Sequence, residues 1–143
     1  MKLTQLSIFL DNTKGRLYEV CNLLGKNKIN IRALTIAESK DFGVLRMVVN
    51  DPEKALTVLK KDNFVATMTD VIAVEVSDQP GGLAATLKVL NDNDINVEYM
   101  YGFVEKFSEK ALMVFRFEDT DKALSILKDN KITIVPKDSI IKL

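Results

Sequence analysis

The 143-residue sequence contains no histidine and only one cysteine, Cys21. The missing histidine excludes Ser-His and Cys-His catalysis, phosphohistidine transfer and the usual zinc sites, because each of these depends on an imidazole. One cysteine excludes an internal disulfide framework and a cysteine-rich metal site. Cys21 falls on the apolar stripe of a predicted helix, so we interpret it as a structural residue. We expect no catalytic residue, no metal and no cofactor.

The sequence also lacks an excess of either charge and a long apolar run. Twenty basic residues balance twenty acidic ones, so no overall field would attract the chain to nucleic acid or to an anionic membrane. No apolar run approaches the roughly 20 residues of a membrane span, and the first residues lack the apolar core of a signal peptide. We therefore expect a cytoplasmic protein with no nucleic-acid partner and no membrane partner.

What the sequence does contain is an internal repeat. Gly15 matches Gly81 at an offset of 66 positions, and the apolar strand and helix positions around the two glycines match as well. Further along each copy the offset becomes 68, so the second copy carries two extra residues. A period this long indicates duplicated domains and excludes a short-repeat solenoid. We predict one domain over residues 1–69 and a second over residues 70–143.

Each copy reads strand, helix, strand, strand, helix, strand. In the first copy Gln5 to Leu10 alternates as a half-buried strand does, and Leu17 to Leu24 carries the one-sided apolar stripe of a helix. Right-handed crossovers place both helices on one face of an antiparallel sheet. We therefore predict an α+β fold of two ferredoxin-like βαββαβ units in tandem, ending in two short strands over Ile132 to Val135 and Ser139 to Leu143.

A strand that stops at a glycine and turns into a helix occurs once in each copy, at Gly15 and at Gly81. Glycine lets a ligand approach the backbone closely. The first amide groups of a helix have no intrahelical acceptor and lie at the positive end of the helix dipole, so they attract a carboxylate. Asp11 or Asp78 is placed to accept a hydrogen bond from an ammonium group. Each turn therefore favours a small zwitterion as its ligand.

The second copy has Asp78-Gln79-Pro80-Gly81 before its first helix and Asp94-Ile95-Asn96-Val97 after it. Within a βαββαβ unit this pattern resembles the ACT domain, and the whole chain resembles a small stand-alone tandem ACT-domain protein. The first copy departs from the pattern, with Asn12 in the place of the acid and Lys14 in the place of the proline. It keeps the glycine and the segment Lys28-Ile29-Asn30-Ile31.

The resemblance implies a non-catalytic regulatory protein, because ACT domains bind small effectors, usually amino acids, where two of the domains meet. It implies contacts from the loop between the first strand and the first helix, and from the start of the second strand, often across the interface. The implied ligand-binding residues are Asp11, Asn12, Thr13, Lys14, Gly15, Arg16, Leu17, Asn30, Ile31, Asp78, Gln79, Pro80, Gly81, Gly82, Leu83, Asn96 and Val97.

We also expect a homodimer, because each copy is small and leaves apolar residues on its other sheet face. The sequence leaves open which amino acid or other effector binds, how many sites are occupied, and which enzyme or transcription partner is regulated.

Two other functions use the same order of strands and helices. An acyl-phosphate hydrolase would need an arginine in a phosphate cradle, and Arg16 after the first glycine resembles one, whereas the second copy has Gly82 there. An RNA-binding module would need exposed aromatic residues on its central strands and a basic surface. The third strand of the first copy instead offers Val44, Arg46 and Val48 on its outward face.

Overall fold

The structure is a computed structural model that describes residues 2–104 and 108–142. The chain divides into two compact units. The first unit is Thr4–Thr69, and the second comprises the described residues from Asp70 onward together with Lys2 and Leu3. That residues 1–69 and 70–143 are separate domains stays a prediction.

The first unit has the predicted order of strands and helices. It contains β1 (Leu3–Asp11), α1 (Arg16–Lys26), β2 (Ile31–Glu38), β3 (Phe42–Val49), α2 (Pro52–Lys61) and the first part of β4 (Val65–Val76). Its strands lie in the order β2-β3-β1-β4, and β3 pairs antiparallel with both β1 and β2.

Both helices of the first unit cover the same face of its sheet and share one hydrophobic core. Apolar residues from alternate positions of β1 and β3 meet residues of α1 and α2 in this core. Its buried members are Leu6, Ile8, Leu10, Val20, Leu24, Ile29, Leu45, Met47, Val49, Ala55, Leu59, Phe64 and Ala66. Of the stripe predicted for α1, Val20 and Leu24 are buried, Cys21 is half-buried and Leu17 is exposed. The predicted inner face of β1 is buried, but β1 is not a half-buried strand, because Gln5 and Ser7 on its other face are buried as well.

The second unit repeats this plan. It contains the rest of β4, α3 (Gly82–Asp92), β5 (Val97–Gly102), β6 (Ala111–Phe117), α4 (Thr120–Asp129) and the short helix α5 (Lys137–Ile141). β6 lies between β4 and β5 and pairs antiparallel with both. Its core is built mainly from Ile72, Val74, Val76, Leu90, Phe115, Phe117, Ala123, Leu127 and Ile134. The prediction of two ferredoxin-like βαββαβ units is confirmed.

The end of the chain differs from the prediction. The strand expected over residues 132–135 is reduced to an isolated antiparallel bridge between Val74 and Ile134. The strand expected over residues 139–143 is wrong, because Lys137–Ile141 forms α5. Pro136 has a φ of −67° and its carbonyl accepts the amide hydrogen of Ser139 at 3.1 Å, which starts a helical turn. The β-branched pair at the end of the chain favoured a strand, but the helical turn buries Ile140 completely.

The four longer helices of the described residues end in the same way. The second residue after each helix has a positive φ, and the next amide bonds back to a carbonyl of the last helical turn, as in a Schellman motif. The positive-φ residues are Lys28, Asn63, Asp94 and Lys131. None is glycine, although a left-handed conformation costs other residues roughly 1–2 kcal/mol.

Replacing Lys131 by glycine should therefore stabilise the protein. Lys131 is exposed and has a φ of 59°, so the substitution removes backbone strain and no packing. We expect Lys131→Gly to raise the free energy of unfolding by about 0.5–1 kcal/mol in chemical denaturation. Lys128→Gly, inside α4, is the matched control and should lower it by about 1 kcal/mol. A Lys131→Gly variant less stable than the parent would contradict this account of the helix ends.

Candidate functional site

The turn between β1 and α1 ends on Gly15, which is the N-cap of α1. Gly15 has a φ of 93° and a ψ of −15°, and no side chain caps the helix start. Within the turn the amide of Thr13 donates to the carbonyl of Asp11 at 2.8 Å, and the amide of Asn12 donates to the carbonyl of Asp41, between β2 and β3, at 3.1 Å. A Cβ atom added at Gly15 would meet nothing within 4 Å. The glycine is therefore required for its conformation, and the space beside it is open.

The turn between β4 and α3 has the same backbone and a closer contact. Gly81 has a φ of 83°, no side chain caps α3, and an added Cβ atom would again meet nothing within 4 Å. At the next residue, Gly82, a Cβ atom would lie 1.9 Å from the carbonyl oxygen of Ser77. Gly82 takes the place of Arg16 in the repeat, so this turn folds too tightly onto itself to hold a side chain there.

The other two long helices start differently. The amide of Lys54 donates to the carboxylate of Asp51 at 3.2 Å, and the amide of Lys122 donates to the carboxylate of Asp119 at 3.0 Å. α2 and α4 thus carry their own side-chain acceptors, whereas the first turns of α1 and α3 do not. In α1 and α3 the first amide bonds back within the turn, from Arg16 to the carbonyl of Thr13 at 3.4 Å and from Gly82 to the carbonyl of Gln79 at 2.9 Å. The next amides of α1 and α3 have no side-chain acceptor, so they remain available to an acceptor from outside the helix.

A cavity of about 180 Å³ lies at the Gly15 turn, within the first unit. Five of the predicted ligand-binding residues line it: Asp11, Asn12, Thr13, Arg16 and Leu17. Lys14 is exposed in the same turn and is not among the lining residues. The lining residues include aspartate, arginine and leucine, and a zwitterion with a side chain needs acidic, basic and apolar partners of this kind.

Sequence reasoning missed four residues of this cavity: Leu10, Ile36, Glu38 and Gly43. The strand register explains their presence, because Gly43 pairs with Leu10 on one side and with Glu38 on the other. Gly43 has no side chain, and the side chain of Ile36 packs over it: a Cβ atom added at Gly43 would lie 3.3 Å from Cδ1 of Ile36. In the sequence, the hairpin at Phe42-Gly43 could have identified these residues, because Phe42 and Gly43 pair with the end of β1.

Arg16 is held firmly at the edge of this cavity. Its Nη1 lies 2.7 Å from Oε2 of Glu19, and its guanidinium lies 4.7 Å above the ring centroid of Phe64. Its Nε atom is buried and has no hydrogen-bond partner among the described residues. Any anion bound beside this arginine, whether a phosphate or a carboxylate, would share its charge with Glu19.

Asn30 and Ile31 lie at the opposite end of the sheet from the Gly15 turn. The amide of Asn30 donates to Oδ1 of Asn50 at 2.8 Å. At this end of β2, Ile31 pairs with Val49, and at the other end, seven residues later, Glu38 pairs with Gly43. Seven strand residues span roughly 23 Å. Within one unit a small effector therefore cannot touch both groups of predicted residues, and their meeting across an interface stays a prediction.

Asn96 and Val97 are likewise distant from the Gly81 turn. Val97 pairs with Phe117 at one end of β6, and Val76 pairs with Ala111 at the other end. Asn96 instead lines a cavity of about 590 Å³ in the second unit.

Two of the carboxylates that border this larger cavity already have partners. Asp119 caps α4, and Asp121 lies 2.9 Å from Nζ of Lys2. That hydrogen bond and the charge of Asp121 raise the pKa of Lys2 above its ordinary value. Among residues 2–104 and 108–142 no group of three or more acidic, cysteine or histidine side chains could hold a metal ion.

Comparison with known proteins identifies relatives over the whole chain. A family model for the ACT domain pair matches residues 1–143. A protein of Bacteroides thetaiotaomicron is 41% identical, with a TM-score of 0.93 over 100% of this chain and 98% of that one. No curated protein matches the chain.

More distant structures share the fold. The regulatory subunit of aspartate kinase from Thermus thermophilus, in its ligand-free form, is 15% identical with a TM-score of 0.64, over 88% of this chain and 91% of that one. The corresponding subunit from Thermus flavus is 17% identical with a TM-score of 0.60, over 88% and 90%. Within the described part of the chain, no helix is both long and apolar enough to cross a membrane.

Alanine substitutions at the glycines should distinguish the stability cost of a positive φ from the stability cost of a close contact. Gly81→Ala meets no atom and should cost only the strain of a positive φ, about 1–2 kcal/mol. Gly82→Ala must displace the backbone of Ser77 and should cost about 2–3 kcal/mol, although alanine is the better helix former. Gly25→Ala, in α1 with nothing within 4 Å of the added atom, is the control and should be neutral or stabilising. Urea denaturation measures all three, and a stabilised Gly82→Ala would contradict the close contact.

Cys21 should react slowly with alkylating reagents in the folded protein. The residue is half-buried on α1, and burial raises the pKa of its thiol because a thiolate is poorly solvated there. We expect iodoacetamide at pH 8 to modify the native protein several-fold more slowly than the protein unfolded in urea. Equal rates in the two states would show that the thiol is exposed.

Proposed function

The chain belongs to the family of ACT domain pairs, and from this premise we propose that it is a non-catalytic regulatory protein that binds an amino acid at its Gly15 turn. The observation that carries the proposal is the cavity of about 180 Å³ beside the uncapped start of α1. It offers separate positions for each part of a free amino acid. The ligand would change the conformation or assembly of the protein, and a partner would read that change.

The chemistry of the turn suits the two charged ends of an amino acid. The first amides of α1 and the guanidinium of Arg16 attract the α-carboxylate. Asp11 lies on the other side of the turn and accepts hydrogen bonds from the α-ammonium group. Leu17 adds an apolar surface at the mouth of the cavity. These groups bind and orient a ligand, and none of them is arranged as a nucleophile with an adjacent base.

The second turn, from Asp78 to Leu83, is proposed as a further site of the same kind. Its glycine leaves the same open space beside an uncapped helix. Gly82 replaces the arginine there, so the carboxylate of a ligand would depend on backbone amides alone. We therefore expect this turn to bind more weakly than the Gly15 turn.

The regulatory role follows from what ACT domains do and from the proteins that share this fold. The two aspartate kinase structures described above are regulatory subunits, and one of them is a ligand-free form. For this chain the regulated enzyme or transcription partner is unidentified. We propose that the protein works in the cytoplasm as a homodimer, in which start-of-strand residues such as Asn30 and Asn96 complete contacts with the effector.

A thermal-shift screen against the twenty amino acids tests the proposal. An effector at about one hundred times its Kd adds about 2.7 kcal/mol to the stability of the native state, which raises Tm by roughly 5–10 °C. Asp11→Asn keeps the shape of the side chain and removes its charge, so it should abolish most of the shift. Asp78→Asn is the matched substitution in the other turn and should leave most of the shift intact.

The outcome of the screen is decisive in either direction. No shift with any of the twenty amino acids, for a protein shown to be folded by circular dichroism, would end the proposal. A shift that survives Asp11→Asn but disappears in Asp78→Asn would move the principal site to the second turn.

A further inference from the structure

The cavity at the Gly15 turn carries more negative than positive charge. Asp11 and Glu38 contribute two carboxylates, and Arg16 contributes the one cation. Nη1 of Arg16 is already 2.7 Å from the carboxylate of Glu19, so little of its charge is uncompensated. An α-amino acid bound here brings one carboxylate to α1 and Arg16 and one ammonium group to Asp11. Glu38 is then left beside the ligand without an opposite charge.

Glu38 borders the part of the cavity into which a ligand side chain would extend. It lies in the row that runs from Leu10 through Gly43, and it lines the cavity next to Ile36. None of the described cations forms an ion pair with Glu38. In the free protein water solvates this exposed carboxylate. A neutral ligand side chain would displace some of that water and return no partner, whereas a cationic one would pair with it.

The wall beside Glu38 is aliphatic. Leu17 of α1 and Ile36 of β2 line the same cavity and are 42% and 49% exposed. Ile36 and Glu38 lie on the same face of β2, two residues and therefore roughly 7 Å apart. A side chain that crosses Ile36 and reaches Glu38 needs an apolar stem and a polar end. Lysine and its analogues have this construction.

We propose that the effector of the Gly15 turn is a basic α-amino acid, whose side-chain cation pairs with Glu38 while its α-ammonium group binds Asp11. This inference rests on the proposed function and adds the class of amino acid to it. Ile36 and Leu17 contact the aliphatic stem. The stem has to be long enough for the ligand to reach both carboxylates, Asp11 and Glu38.

The second unit lacks this combination. At the same positions of the repeat, Val104 replaces Glu38, Gly102 replaces Ile36 and Gly82 replaces Arg16. At these three positions the second unit thus has no carboxylate, isoleucine or arginine, although Leu83 stands in the place of Leu17. We therefore assign the selectivity for a basic side chain to the first unit.

Isothermal titration calorimetry on the full chain tests this with lysine and norleucine, which share a four-carbon stem and differ in the terminal ammonium group. Glu38 is exposed, so its ion pair should give lysine an advantage of about fivefold in Kd over norleucine. Glutamate should bind least, because it adds a carboxylate to a negative cavity. Glu38→Gln keeps the size of the side chain and should remove the advantage of lysine, so that lysine and norleucine bind with about the same Kd. Glu53→Gln, an exposed residue of α2 in the same unit, is the matched control and should preserve it.

Each result supports or overturns the inference. Tighter binding of norleucine, leucine or glutamate than of lysine would overturn it and leave the proposed function standing. A lysine advantage that Glu38→Gln does not change would overturn the assignment to Glu38. Failure of lysine and of all the other amino acids to bind would remove the inference and the proposed function together.

Discussion

A helix that begins on a left-handed glycine has no side chain to satisfy its first amides, and the candidate site depends on this constraint. Gly15 and Gly81 both adopt a positive φ that other residues reach only with strain. In α2 and α4 the same amides are satisfied by Asp51 and Asp119. One chain thus uses two ways of starting a helix: one satisfies an amide of the first turn with a carboxylate of the protein, and the other provides no side-chain acceptor.

The two units share a frame but present different chemistry on it. In the first unit Arg16, Ile36 and Gly43 are among the residues that line the cavity at the turn. In the second unit Gly82, Gly102 and Ala111 stand at the equivalent positions. The two copies thus share the way in which the helix starts, and they differ in the side chains around it.

Much of the fold was predictable because its signals are local or periodic. The alternation in β1 and the apolar stripe in α1 each act within a few residues, so they could be read without knowing the fold. The last strand was wrongly predicted for a related reason. The sequence Ile140-Ile141 has a strong local preference for a strand, but burial of Ile140 in the folded unit decided in favour of a helical turn.

The sequence by itself determined the repeat, the order of its elements and the position of the two glycine turns, since these depend on spacing along the chain. Only the tertiary structure decided that Gly43 and Glu38 lie beside the first turn, and that Asn30 lies at the far end of the sheet. It also decided that Arg16 binds Glu19 and stacks on Phe64. These relations depend on strand register and on contacts between residues distant in sequence, which no local pattern encodes.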